Sequence, residues 1–348
     1  MRVIRVDNVN EAFYRGIDLF QSDMNYRRQE SRNGVTLECN EPVTTVYAKP
    51  WQRVLFDKAR DANPFFHLVE AIWMMSGRRD LKTIIPFNAG MSNFSDDNEN
   101  LNGAYGFRWV SYFHYDQIDT CAEMLRKDPD SRRVVLQMWD AVHDLDSSSK
   151  DIPCNTNIYF KVRDDRLNMM VCNRSNDMIW GAYGANAVHM SVLQEYMAAA
   201  VGVAVGEYRQ VSDSFHVYEN ELWERVKRVE SPLMPMAGMT LIAPYPETIP
   251  VVEDPSVFCL ECETFMERLE QFDWNNPDDA DRLFSAKYFN SFLSRVLQPM
   301  VRAFIAHKQE RNYVKAEHYL GQIEAEDWEI ASRNWIEKRR VNYEKKHG

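Results

Sequence analysis

The sequence predicts a mixed helix-and-strand domain over residues 1–250 and a helical extension over 251–348. Three observations carry this. Period-two alternation runs through 156–163 and 167–172 around Arg163-Asp164-Asp165-Arg166, a hairpin signal. Apolar residues recur at helical spacing in 8–22, 62–77 and 186–202. Finally, Pro232, Pro235, Pro244, Pro246, Pro250 and Pro255 mark a boundary, beyond which the pattern is helical.

Taken in order, 8–22 reads as an amphipathic helix, and 28–47 is polar and then extended, with a turn at Ser31-Arg32-Asn33-Gly34. In 62–77, Phe65, Phe66, Leu68, Val69, Ile72 and Trp73 share a helical period and Gly77 is the stop signal. Residues 86–105 read as a polar loop. A helix at 115–127 leads through Asp128-Pro129 into a strand over 133–139. After the hairpin come a helix at 186–202 and a strand at 206–217, then helices at 257–272, at 279–308 and in two further segments.

Composition bounds the function. With 348 residues, 45% of them hydrophobic, and 9 Trp, 16 Tyr and 18 Phe, the chain can bury a sizeable core. No apolar run reaches the length of a membrane span, and the first residues lack a signal-peptide core. The six Cys (39, 121, 154, 172, 259 and 262) form no framework, which points to a reducing cytoplasm. Cys259 and Cys262 have no second ligand pair at metal spacing, so no metal is expected. A net charge of −11 argues against general nucleic-acid binding, though not against a local phosphate pocket.

The chemistry concentrates around Cys154. It follows Pro153, and twenty residues on stands Arg174-Ser175-Asn176-Asp177; Asp130-Ser131-Arg132-Arg133 lies upstream. A thiol nucleophile among guanidinium groups suits an electrophilic substrate that carries a phosphate. Glu70 is the one charge in an apolar helical stretch, where a buried carboxylate suits proton relay.

Together with Ser214-Phe215-His216-Val217-Tyr218, these residues resemble the thymidylate synthase superfamily over roughly residues 10–225. The resemblance implies an α+β fold around a large bent sheet and a homodimer. It also implies 5,10-methylenetetrahydrofolate as co-substrate and a pyrimidine nucleoside monophosphate as acceptor. Carried over by position, Cys154 would attack C6 of the pyrimidine. Arg174 and Ser175, with Arg32 closing from its loop, would hold the phosphate, and Arg132 and Arg133 would reach the neighbouring subunit's phosphate. Asp177 would anchor the base pocket, His216 and Tyr218 would bond the sugar hydroxyl, and Tyr105 would line the site near the thiol. For each arginine a surface ion pair is the alternative role, and for Tyr105 core packing.

Four departures from the synthase pattern matter. Asn155 stands where synthases have His, and the 214–218 run is similar to that of the hydroxymethylases. Residues 86–102 contain no Trp, with Met91 and Phe94 near those positions, and 339–348 has no match to the segment that closes over folate. After one-carbon transfer a dry site leads to a methyl group, whereas water reaching the carbon gives hydroxymethyl. The expectation is therefore a 5-hydroxymethylase. The base reader falls at Ala185, or at Asn186 if one residue is inserted, and helix spacing downstream supports Asn186. The hydroxymethylase-like features tilt the expected acceptor towards dCMP or CMP. A dUMP hydroxymethylase and a true thymidylate synthase are the alternatives, and a non-catalytic regulator is disfavoured by the presence of Cys154, Glu70 and the arginines.

Overall fold

The computed structural model describes residues 1–22, 24–229 and 244–347, so Pro232 and Pro235 of the proline-dense boundary lie outside the described residues. In chain order the elements are β1 (Arg2–Val6), α1 (Val9–Leu19), β2 (Tyr26–Ser31), β3 (Gly34–Cys39), β4 (Val43–Tyr47), α2 (Pro64–Met75), α3 (Tyr105–Val110), α4 (Gln117–Lys127) and β5 (Val135–Gln137). There follow β6 (Asn155–Arg163), β7 (Arg166–Asp177), α5 (Asn186–Val201), β8 (Ala204–Tyr218) and α6 (Glu221–Val226). The last are α7 (Pro255–Gln271), α8 (Ala280–Leu283), α9 (Gln298–Lys308), α10 (Tyr313–Leu320) and α11 (Glu326–His347).

The chain divides into two compact units. The first comprises residues 1–62, 113–147 and 152–245 and holds every described strand. Among the described residues eight strands form one mixed sheet in the order β1-β4-β8-β7-β6-β5, with β3 joined to β8 and β2 to β3. The β1/β4 and β7/β8 pairs are parallel and the others antiparallel. Helices α1, α4 and α5 pack on it, giving the α+β architecture. The β6–β7 hairpin turns at Asp164 and Asp165, both at positive φ (52° and 53°), as a two-residue turn compatible with strand twist requires.

Two sequence expectations are corrected here. The strand over 133–139 shortens to Val135–Gln137 because a side-chain amide takes over beside it. Gln117 Nε2 donates to the Gln137 carbonyl at 2.9 Å, and the Gln137 N–H donates to Gln117 Oε1 at 2.8 Å. Strand β1 was missed, because only five residues of mixed polarity form it and its pairing with β4 decides its fate.

Gly16 sets how closely α1 approaches the turn at 178–185. A Cβ at Gly16 would lie 2.5 Å from Tyr183 Cε2 and 2.6 Å from Met178 Sδ. Gly16→Val is expected to destabilise the protein by about 1–3 kcal/mol through overpacking. Urea unfolding checks it, and an unchanged midpoint would mean that the helix shifts without strain.

The second unit comprises residues 63–112, 148–151 and 246–348, and its long elements are helical. Asn63 caps α2, accepting from the Phe66 N–H at 3.1 Å, with Pro64 in the first turn. Every residue of α2 is buried, Glu70 included. Its aromatic core joins Phe65 to Phe304 and Trp335, each at 5.4 Å, and stacks Phe87 on Phe304 at 4.6 Å. The single helix expected over 279–308 is broken. Glu261 carboxylate oxygens accept from the Phe289 and Asn290 N–H groups, and buried Asn290 Nδ2 donates to the Val251 carbonyl at 2.9 Å. These side chains satisfy the backbone that a continuous helix would have paired. Among the described residues no helix is long and apolar enough to cross a membrane.

Candidate active site

Cys154 immediately precedes β6, just before the register irregularity that separates Asn155 from Asn157. Its thiol is half-buried. Because β7 returns antiparallel, Arg174 arrives beside it, and the Arg174 N–H donates to the Cys154 carbonyl at 3.0 Å. The guanidinium is then fixed from both ends. Nε donates to the Pro153 carbonyl and Nη2 to the Ile152 carbonyl, each at 2.9 Å, which leaves Nη2 3.8 Å from Cys154 Sγ. Two backbone carbonyls thus hold a positive charge beside the sulfur.

The ends of β7 and β8 bring the next group together. Their parallel register sets Ser175 beside Ser214 and Asp177 beside His216, and strand alternation puts all four on one face. His216 Nδ1 lies 3.3 Å from Ser214 Oγ, and its ring meets Tyr218 edge-on at 5.4 Å. Asp177 caps the turn that follows, its Oδ1 accepting from the Ile179 and Trp180 N–H groups. Burial pushes the Asp177 carboxyl up, opposed by those N–H groups and by His216 and Arg60.

Behind these strands runs a directional chain of buried amides. Asn155 Nδ2 donates to Asn186 Oδ1 at 3.4 Å, and Asn186 Nδ2 donates to Asn176 Oδ1 at 3.2 Å. Asn176 Nδ2 in turn donates to Gln210 Oε1 and Ser212 Oγ, each at 3.0 Å. Gly181 makes room for this chain, since a Cβ there would lie 2.6 Å from Asn176 Oδ1. The contact between Asn155 and Asn186 ties the residue after the cysteine to the residue read as the base contact.

Glu70 and Tyr105 belong to the helical unit. Glu70 is 7% exposed, and Tyr105 starts α3, half-buried. Asp151 lies in the same unit: the Gly103 N–H donates to its Oδ2 at 2.7 Å, and a Cβ at Gly103 would crowd its Oδ1 at 2.9 Å. Burial pushes the Asp151 carboxyl up, the Gly103 N–H and Arg108 oppose this, and the Asp96 and Glu70 charges add to it. Arg32 is exposed at the tip of the β2–β3 hairpin, and Arg132 and Arg133 are exposed in the turn before β5. All three stand at the surface. Among the described residues no cluster of metal-ligating side chains occurs.

The sequence profile of thymidylate synthase matches residues 60–251, more than half of the chain. The chain belongs to the thymidylate synthase family. It is similar to the deoxyuridylate hydroxymethyltransferase of Pseudomonas phage M6, 42% identical over 348 residues, spanning 99% of this chain and 96% of that protein. It also resembles the deoxyuridylate hydroxymethyltransferases of Bacillus phage SP01 and Delftia phage PhiW-14. The first is 36% identical over 61% of this chain and 57% of that protein; the second is 30% identical over 62% of each.

Among the residues described above, sequence reasoning missed four. Asn176 sits between two assigned positions, and strand alternation was the available signal that it faces the other way, inward. Gly181 and Asp151 carry no local signal, because what they do depends on chain that is distant in sequence. Arg60 is buried, donates from Nε to the Ile179 carbonyl at 2.8 Å and lies 4.4 Å over the Trp180 ring, so it clamps the turn that Asp177 caps. Burial lowers the pKa of its guanidinium to about 10, against the pull of Asp177.

Proposed function

We propose that this family member is a 5-hydroxymethyltransferase acting on deoxyuridylate, with 5,10-methylenetetrahydrofolate as one-carbon donor and water as second co-substrate. The observation that carries the reading is the similarity, along 99% of the chain, to a phage protein named for that reaction. The preference for dCMP or CMP drawn from the sequence gives way to dUMP on two grounds. All three relatives above are named for deoxyuridylate. Moreover, the base-reading position carries an amide held in one orientation by Asn155 and Asn176, not the carboxylate of the cytosine-specific hydroxymethylases.

In this reading Cys154 Sγ adds to C6 of the uracil, which makes C5 nucleophilic. Arg174, Ser175 and Arg32 hold the phosphate, and Arg132 and Arg133 serve the phosphate of a second subunit in a homodimer. Asn186 reads the base, Asp177 fixes its pocket, Tyr105 lines it, and His216 and Tyr218 bond the sugar hydroxyl. Glu70 relays protons at O4 and at the donor nitrogen. The folate supplies a carbon at the oxidation level of formaldehyde. Phe94, 43% exposed in the helical turn Ala89–Phe94, offers a flat apolar face that suits such a ring system.

Once that carbon is on C5, loss of the C5 proton and cleavage of the carbon's bond to the donor nitrogen release tetrahydrofolate and leave an exocyclic methylene. Water adds to that carbon, the C5–C6 double bond re-forms and the Cys154 thiolate is expelled from C6, so no hydride leaves the folate. One feature favours water: residues 86–102 present no indole. With six free thiols, the enzyme is suited to the reducing cytoplasm of a phage host. The test is mass-resolved turnover with dUMP, UMP, dCMP and CMP. The expected product is dUMP heavier by CH₂O, with no dihydrofolate absorbance. A gain of CH₂ with equal dihydrofolate would make it a thymidylate synthase, and reaction of dCMP or CMP alone would restore cytosine.

A further inference from the structure

A cavity of about 570 Å³ opens in the helical unit beside α9 and α11, a size typical of small-ligand sites. Its floor is formed by Phe87, Phe304, His307 and Trp335, none more than 9% exposed. Four cations, Lys308, Arg311, Arg339 and Lys346, line it together with Tyr343. None of Cys154, Glu70, Arg174 or Asn186 does. In a chain of net charge −11 this is a local reversal of sign. Among the described residues, Lys308, Arg311 and Lys346 have no carboxylate within ion-pairing distance.

The floor is unfinished in a second way. His307 Nδ1 and Trp335 Nε1 are buried and meet no hydrogen-bond partner among the described residues. A buried polar group left so is costly, and native sites normally satisfy it with a ligand or an ordered water. Burial holds the His307 imidazole down to about 4, and Arg311, Arg339 and Lys308 add to this, so the ring is neutral near pH 7 and can accept as well as donate. Arg339 lies 3.4 Å from the Trp335 ring centroid and Arg311 5.6 Å from that of Tyr343, so cations and aromatic faces alternate around the opening.

We propose that this cavity binds a nucleoside triphosphate, with its phosphates on Lys308, Arg311, Arg339 and Lys346 and its base against Tyr343 above His307 and Trp335. Guanidinium forks match phosphate oxygens, and four positive groups balance the charge of a triphosphate. An aromatic face and hydrogen-bonding ring nitrogens are what a base would use and a bare polyanion would not. The cavity admits one ligand of that size and lacks the extended basic track of a nucleic-acid surface.

Calorimetric titration of the full chain with dTTP, ATP and inorganic tripolyphosphate, without magnesium, tests this. At least one nucleoside triphosphate is expected to bind ten times more tightly than tripolyphosphate. Arg311→Ala/Lys346→Ala should weaken it at least tenfold with dUMP turnover unchanged. Tyr343→Ala should weaken the nucleotide and leave tripolyphosphate as it was. Equal binding of tripolyphosphate, unchanged binding by the variants, or displacement of the nucleotide by methylenetetrahydrofolate would each overturn the proposal.

Discussion

Cys154→Ala is expected to lower turnover of dUMP by on the order of 10⁴-fold or more, while the nucleotide still binds. The two halves of this expectation separate because the thiol and its neighbours do different things. Arg174 is held by the Ile152 and Pro153 carbonyls, not by the sulfur, so the variant keeps the guanidinium proposed to bind phosphate in place. What it loses is the bond to C6, without which C5 is a vinylic carbon with no reason to attack an electrophile. A readout that needs no folate isolates this step. In D₂O the wild type should exchange the C5 hydrogen of dUMP for deuterium, because addition at C6 gives C5 enolate character. Cys154→Ala should not exchange it, and Cys154→Ser should exchange it far more slowly, since a hydroxyl ionises less readily than a thiol. A Cys154→Ala protein that retained a tenth of wild-type turnover would remove covalent catalysis from the reading altogether.

How much of this was legible beforehand depended on the range over which each residue acts. Cys154, Arg174, Ser175, Asp177 and His216 stand in short runs whose residue types fit one chemistry, but the alternation read over 167–172 stops short of Arg174, Ser175 and Asp177, which the longer strand β7 carries. The helix over 64–75 was visible because its apolar period is strong and Asn63-Pro64 punctuates its start. The break at 284–290 was not, since it depends on Glu261 and Asn290 reaching backbone far from themselves in sequence. The same holds within the site. The insertion that would make Asn186 the base contact was a matter of register in the sequence. In the fold, Asn155 and Asn176 meet Asn186 directly, and Gly181 is bare because Asn176 fills the space of its side chain.

That amide chain gives the second large effect. Asn186→Asp is expected to reduce kcat/KM for dUMP by about 10²–10⁴-fold and to shift selectivity towards dCMP. Uracil offers an acceptor at O4 beside a donor at N3; cytosine offers the reverse. Asn186 is not free to turn and suit either. Its Nδ2 faces Asn176 Oδ1, and Asn176 is itself fixed by donating to Gln210 and Ser212. A carboxylate at position 186 would set oxygen against the Asn176 oxygen, 3.2 Å from where the amide nitrogen now donates, and would present only acceptors to the base. Uracil O4 then meets a negative charge with no donor between them, whereas the cytosine amine meets an acceptor. Burial raises the pKa of such a carboxyl, so lower pH should protonate it, restore a donor towards Asn176 and recover part of the dUMP activity. Gly181→Ala should act in the same direction but more weakly, by displacing Asn176 and so loosening Asn186 without changing its chemistry. Steady-state kinetics on dUMP and dCMP between pH 5.5 and pH 8 would separate these cases. If Asn186→Asp kept its preference for dUMP at every pH, the base would be read elsewhere, and the amide chain would be only a structural prop for the turn after β7.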